Sequence, residues 1–334
     1  MRSLLSTLIS PFSRTQGVAR WMLVVGALIT TVFVICALFA PWIAPYGFAQ
    51  FQDSGEQFKK LGHPNHQHWF GTTDLQTDVL SRVIWGARTA LEVVSLAVVA
   101  SLIIGLVLGL VSGYVGGWVD RILVLIMDSL YAFPSFLLAI VCAFLFTNLI
   151  GDNVWFLSSG VIAAALSLTV IYIPQYFRVV RNTTISAKEA TYVEAARALG
   201  ASGGTIMRRY LFGNVIQSVP VIGTLNAADA ILTLAGLGFL GIGIQPDEAA
   251  EWGYDLQRAL DDAGIGVWWT SLYPGLAIVL LVTGLTLVGE GLNETVNPIL
   301  RRRRLLPVVL PPRSRQELVV ATPGEAPSNE EKQA

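Results

Sequence analysis

Few residues of this 334-residue chain have types and spacings that do chemistry, and three of them are histidines. His63, His66 and His68 stand in the run Gly62-His-Pro-Asn-His-Gln-His-Trp69, and imidazole is a frequent transition-metal ligand. No cysteine or paired carboxylate accompanies them, so the run reads as a surface loop and no metal is assigned. Two acids, Asp128 and Asp229, fall inside long apolar runs. A carboxylate in such a place is costly unless it faces water or a partner group. It either lines a route for an amine or a metal cation or makes a structural hydrogen bond between helices, and the residues alone leave both readings open. There is no Gly-x-x-x-x-Gly-Lys-Ser/Thr loop to cradle a nucleotide and no His-Glu-x-x-His helix to hold zinc. The chain is read as having no catalytic site of its own.

The elements that must position these residues follow from where charge is missing. Charged residues make up 13% of the chain and hydrophobic ones 53%, against about 25% charged in ordinary soluble domains. Too few charges remain to coat a globule. A net charge of −1 excludes a generally basic nucleic-acid binder and an acidic disordered chain. Cys36 and Cys142 lie in apolar runs and offer no disulfide framework. Six stretches, 21–42, 93–119, 122–147, 155–177, 210–246 and 263–289, are almost free of charge. Each is long enough for one helical crossing, which needs about 20 apolar residues. The fifth has a surplus, assigned to a re-entrant or interfacial piece. The expected fold is an all-α membrane protein with six transmembrane helices.

Lys and Arg in the loops set the orientation. With the N-terminus cytoplasmic, seventeen fall inside and five outside, which places both termini in the cytoplasm. The expected organisation is a cytoplasmic tail over 1–20, an uncleaved anchor over 21–42, an extracytoplasmic loop over 43–90, a five-helix core over 91–303 and a disordered cytoplasmic tail over 304–334. Within the outer loop, 77–90 reads as a helix lying at the membrane surface, its Val79, Leu80, Val83 and Ile84 on one face. The acids of 245–262 read as an outer loop. Gly105, Gly109 and Gly113 recur every fourth residue, a pattern for close helix packing. Pro134 and Pro174 are expected to kink their helices. Arg301 to Arg304, beyond the last span, suit anionic membrane lipid headgroups.

Between the fourth and fifth spans, 178–212 carries a distinct pattern. Ser186-Ala-Lys-Glu189 has the form of a capping box. It opens an Ala-rich helix of about 14 residues that ends at Gly200, a residue suited to the left-handed position after a helix. A second helix is expected after Ser202-Gly-Gly204. Such short helices are marginal in water without a packing partner, so the segment reads as a docking element. Glu194 and Arg197, three apart, either pair on one face or contact a partner.

Tyr192-Val-Glu-Ala-Ala-Arg-Ala-Leu-Gly-Ala-Ser202 resembles the EAA loop of ABC-importer permeases, Glu-Ala-Ala followed three residues later by Gly. Leu38-Phe-Ala-Pro-Trp-Ile-Ala-Pro45, Gly113-Tyr-Val-Gly-Gly-Trp-Val-Asp120 and Gly291-Leu-Asn-Glu-Thr-Val-Asn-Pro298 extend the likeness across about 18–303. It is similar to the second (C-type) permease of the dipeptide/oligopeptide/nickel group. Phe212-Gly213 stands where that family has Leu-Pro. The resemblance implies a type I ABC-importer permease fold in a bacterial or archaeal cytoplasmic membrane. It implies half of a translocation pathway for peptides or a related small solute, paired with a homologous permease. The other implied partners are two ATP-binding ATPase subunits and an extracytoplasmic binding protein; ATP belongs to the partners and no cofactor to this chain. ATPase docking is expected at Glu194, Ala195, Ala196, Arg197, Leu199 and Gly200, and the pathway is expected to pass Asp128 and Asp229. The rival reading, a self-sufficient secondary transporter or channel, wants internal repeats or midplane ion sites, and it leaves the 178–212 helix without a role.

Overall fold

The computed structural model describes residues 17–150, 158–216 and 219–296. Residues 1–16 of the N-terminal tail and the tail after residue 296, with Arg301 to Arg304, lie outside the described residues. The principal helices are α1 (Val18–Leu38), α2 (Val79–Val115), α3 (Gly117–Ala132), α4 (Ser135–Leu149), α5 (Ser159–Lys188), α6 (Thr191–Ala198), α7 (Val219–Phe239), α8 (Trp252–Gly264) and α9 (Trp269–Val296). Five are long and apolar enough to cross a membrane, and the α3–α4 pair makes a sixth crossing if it counts as one bent span.

The centre of the bundle is the pairing of α2 with α5, and glycine makes it close. A Cβ on Gly105, Gly109 or Gly113 would stand 2.5, 2.7 and 2.7 Å from Tyr176 Cβ, Val180 Cγ1 and Thr184 Cβ. The four-residue period keeps these glycines on one stripe of α2, where a side chain would push the helices apart. Around this pair the buried core runs from Ala90, Val93 and Ala97 through Leu168 and Tyr172 to Ile231, Leu234 and Leu281. α1 lies against α9, where Gly26 brings its backbone onto Gly284 and Leu287.

Pro134 breaks the third crossing. It lacks an N–H, and it holds Phe133 extended (φ −74°, ψ 139°). α3 and α4 meet there at 97°. Pro174 sits inside α5, which continues through it to Lys188.

Four expectations need correction. The helix expected to lie on the surface over 77–90 is the first part of α2, a single 37-residue helix. Nothing between Val79 and Val115 breaks it, and the charges that suggested a surface are matched. Arg82 is buried against Asp255 at 2.6 Å, and Arg88 bonds Glu92 one turn on at 2.8 Å. The supposed boundary between residues 90 and 91 therefore falls inside a helix. Second, the Ser186–Glu189 box does not start a helix: α5 runs through it to Lys188 because Thr184 is packed on Gly113 and Lys188 donates to the Gly113 carbonyl at 3.1 Å. Third, the helix that follows is eight residues long. Fourth, the acidic stretch 245–262 is not only loop, since it holds most of α8.

The segment between α1 and α2 folds at one end of the bundle. It contains a two-residue hairpin of β1 (Gln52–Asp53) and β2 (Glu56–Gln57), turned by Ser54 and Gly55 at positive φ. The loop from 189 to 212 folds at the opposite end, since α2 and α5 run parallel, both starting at the first end and finishing at the second.

Candidate functional site

The loop after α5 builds a small core of its own. Val193 of α6 turns inward onto Ile206 and Leu211, with Leu110 and Tyr114 of α2 beside them; Ala196, three residues on, is buried as well. The chain returns through a turn over Gly203–Thr205, a π-helical turn over Ile206–Leu211 and a short helix over Phe212–Val215. Ala190 caps α6 without a side-chain bond. At the other end Gly200 has φ +83°. Its N–H donates to Arg197 O at 2.9 Å and that of Ala201 to Ala196 O at 3.0 Å, the paired bonds of a Schellman ending. Ser202 opens the next turn by accepting from Thr205 N.

Of the six residues expected to dock a partner, Glu194, Ala195, Arg197, Leu199 and Gly200 are on the surface; Ala196 is buried. Glu194 and Arg197 do not pair. The Arg197 guanidinium lies 5.8 Å from the Tyr114 ring centroid, and Glu194 has no ion pair among the described residues. Leu199 is 89% exposed, an apolar side chain at the tip of a helix whose inner face is already satisfied. Tyr192 is a surface residue that sequence reasoning did not single out. Its hydroxyl accepts from Asn214 Nδ2 at 2.5 Å and ties the start of α6 to the end of the loop.

The two acids inside spans are held differently. Asp128 bonds Arg178 of α5 at 2.7 Å, and that guanidinium lies 4.0 Å from the Tyr131 ring centroid. Nearer the loop end, Arg181 grips Asp120 with two bonds of 2.6 and 2.7 Å. Among the described residues the Asp229 carboxylate accepts only from a phenol, Tyr172 Oη to Oδ2 at 2.8 Å.

At the opposite end the acids of the 245–262 stretch are structural. Glu248 accepts from Ser159 Oγ and Gly160 N, both at 3.0 Å, at the start of α5. Glu251 caps α8 by accepting from Gly253 N and Tyr254 N at 2.9 and 2.7 Å. Burial pushes its carboxyl up to about 8, against the opposing pull of those two amides. Asp255 is likewise raised by burial, with Arg82 acting against the shift. Arg82 also donates to Phe48 O at 3.0 Å, and Arg258 reaches Asp74. α8 could have been found from Glu251 as a cap before Trp252, Leu256 and Ala259, apolar at helical spacing. The three histidines are dispersed. His68 Nδ1 bonds Asp78 at 2.9 Å, the His63 ring lies tilted 4.7 Å from the Trp269 ring centroid, and His66 faces solvent.

Comparison with known proteins agrees with this architecture. The family described as the inner-membrane component of binding-protein-dependent transport systems matches residues 105–302. The N-terminal transmembrane domain of oligopeptide transport permease C matches 18–62. The dipeptide transport system permease protein DppC of Alkalihalophilus pseudofirmus is 35% identical over 278 residues, covering 82% of this chain and 85% of the relative. The glutathione transport system permease protein GsiD is 38% identical in Shigella flexneri and 36% in Escherichia coli, each over 83% of this chain and 86% of the relative. With both models matched in chain order and the bundle of apolar helices they describe, the chain belongs to the binding-protein-dependent ABC-importer permeases and carries the N-terminal domain of the C-type peptide permeases.

Proposed function

We propose that this permease forms half of the translocation pathway of an ATP-driven importer for peptides or a chemically related small solute, and that α6 is where it receives the ATPase. The observation that carries the reading is the outer face of α6. The inner face of that helix is packed by its own loop, yet Leu199 stands 89% exposed beside Glu194, Ala195 and Gly200. An apolar tip on a rigid base suits insertion into a partner surface. Movement of that partner is passed to α5 and α2 through Lys188 and Gly113, rocking the bundle between two states.

In this reading ATP is bound and hydrolysed by two partner subunits, this chain has no catalytic site, and a homologous permease completes the pathway. The excess of Lys and Arg in the 178–209 segment and the tails supports a cytoplasmic position for both termini and α6. Asp128 and Asp229 are the acids assigned to the pathway. The peptide assignment rests on relatives that carry dipeptides and glutathione.

The test is affinity purification of the tagged chain from its native membrane in mild detergent, then flux in proteoliposomes. Recovery of ATPase subunits and a second permease, with uptake that requires ATP and the binding protein, is the expected result. Recovery of this chain alone, supporting flux without ATP, would make it a secondary transporter.

A further inference from the structure

Asp229 differs from the other acids of the helical bundle's ion pairs. Asp120, Asp128 and Glu92 each face an arginine of this chain, as do Asp255 and Asp74 at the bundle's end. Asp229 faces none among the described residues. It is the eleventh of the 21 residues of α7, so about 15 Å of helix separates it from either end. Its side chain is exposed on the chain's surface, next to Leu232 one turn on. A charge at that depth in contact with lipid is strongly disfavoured.

The surroundings are arranged rather than accidental. Tyr172, fully buried, donates to Oδ2 and leaves Oδ1 open. One turn further along, Tyr176 of α5 comes against α7 beside Gly223, with its hydroxyl 3.8 Å from where a Gly223 Cβ would be. Tyr176 is 1% exposed and Asn226 of α7 is 6% exposed. Asn226 Nδ2 lies toward Tyr176 Oη, and neither atom has another hydrogen-bond partner among the described residues. A strip of polar groups thus runs along the α5–α7 seam at mid-depth. It has a negative charge at the surface that no described cation answers and, a turn away, a buried Asn226–Tyr176 pair with hydrogen-bonding capacity left over, an arrangement that buried polar groups avoid unless something satisfies them.

We infer that Asp229, held by Tyr172, is the station where a protonated amino group of the cargo is held halfway across the membrane, with Asn226 and Tyr176 offering donors to a cargo carbonyl as α5 and α7 part. This rests on the pathway reading above and adds to it a substrate class, small solutes with a free ammonium group. A charge of opposite sign from the cargo supplies what the chain's own arginines supply to the other acids. A neutral station would leave the amine to desolvate without compensation.

The test reads the field of Asp229 at its neighbour. In the assembled importer, with Cys36→Ala and Cys142→Ala, Leu232→Cys is exposed to two water-soluble methanethiosulfonates, one carrying a trimethylammonium group and one a sulfonate. The ratio of the two rates should be about tenfold higher with Asp229 than with Asp229→Asn, the reagents' intrinsic difference cancelling between variants. Equal ratios in the two backgrounds would leave the water-filled route standing and remove the ammonium station. Modification by neither reagent, repeated at Leu225→Cys, would remove the route itself and the station with it. Loss of the co-purifying second permease in Asp229→Asn would show that a cation of that subunit holds the carboxylate, which also overturns the assignment.

Discussion

Leu199→Ala is the sharpest perturbation of the proposed coupling surface, because the fold has almost no stake in that side chain. At 89% exposure Leu199 contributes little to the loop's own core, which is built from Val193, Ile206 and Leu211. Surface substitutions of this kind change stability by no more than about 0.5 kcal/mol. If the ATPase covers the side chain, truncation to Ala removes three carbons from a buried contact. At about 0.8 kcal/mol each the loss is about 2.4 kcal/mol, which corresponds to about fifty-fold in affinity. The assay is titration of the ATPase subunits against the permease pair in nanodiscs, with the thermal midpoint of the permeases measured in parallel. Val193→Ala is the control: it empties a fully buried position, so it should lower the midpoint. Affinity within twofold of wild type for Leu199→Ala, with uptake intact, would refute docking through the exposed tip. A fall in the midpoint as large as that of Val193→Ala would refute the claim that the residue is spare in the fold.

Gly109→Val should separate α2 from α5, since its Cβ alone would meet Val180 Cγ1 at 2.7 Å and the Phe177 carbonyl at 2.9 Å. A cost of about 1–3 kcal/mol is expected as a lower melting temperature, whereas Gly204→Ala, with nothing within 4 Å, should leave it unchanged. Arg82→Ala strands the buried Asp255 carboxylate and should cost about 3–5 kcal/mol. The double change Arg82→Met, Asp255→Leu should recover most of that in the same melting assay, and no recovery would mean that Arg82 acts through Phe48 instead. Glu251 keeps its proton in the folded chain up to about pH 8 but loses it near 4.5 when unfolded. Between those values the folded state binds more protons, so stability falls as pH rises from about 5 to 8. Glu251→Gln should flatten that slope in melting curves, and an unchanged slope would sink the reasoning.

What could be read from the sequence divides by the range of the interaction responsible. The crossings were legible because length and lack of charge are local properties, and so was the break at Pro134, which needs only the proline and its predecessor. The α6 ending was legible at Gly200 for the same reason. The Ser186–Glu189 box failed although it too is local, because Thr184 and Lys188 are held against Gly113 on another helix. Tertiary packing outweighed a cap worth about 1 kcal/mol. The surface helix over 77–90 failed on the same ground. Arg82 looked like a solvent-facing charge because its partner, Asp255, lies 173 residues away.

The charges carry the same lesson further. Asp120 meets Arg181, Asp128 meets Arg178 and Asp74 meets Arg258, at separations of 61, 50 and 184 residues. A sequence shows which residues are acidic but not which acids are already answered, so Asp128 and Asp229 stood as equals when read along the chain. Only after the arginines have been assigned in space does one acid remain at the midpoint of a crossing with a phenol for its partner. In water such a carboxylate would need no explanation. At that depth its charge must be matched or lost, and the chain's described cations are committed elsewhere or lie near the ends. If the charge is matched, the partner comes from outside the described residues, from the proposed second permease or from the proposed cargo. Those two sources differ in one respect that can be measured: a subunit's cation is present in the resting complex, whereas the cargo's leaves the carboxylate free to attract a positive reagent and repel a negative one.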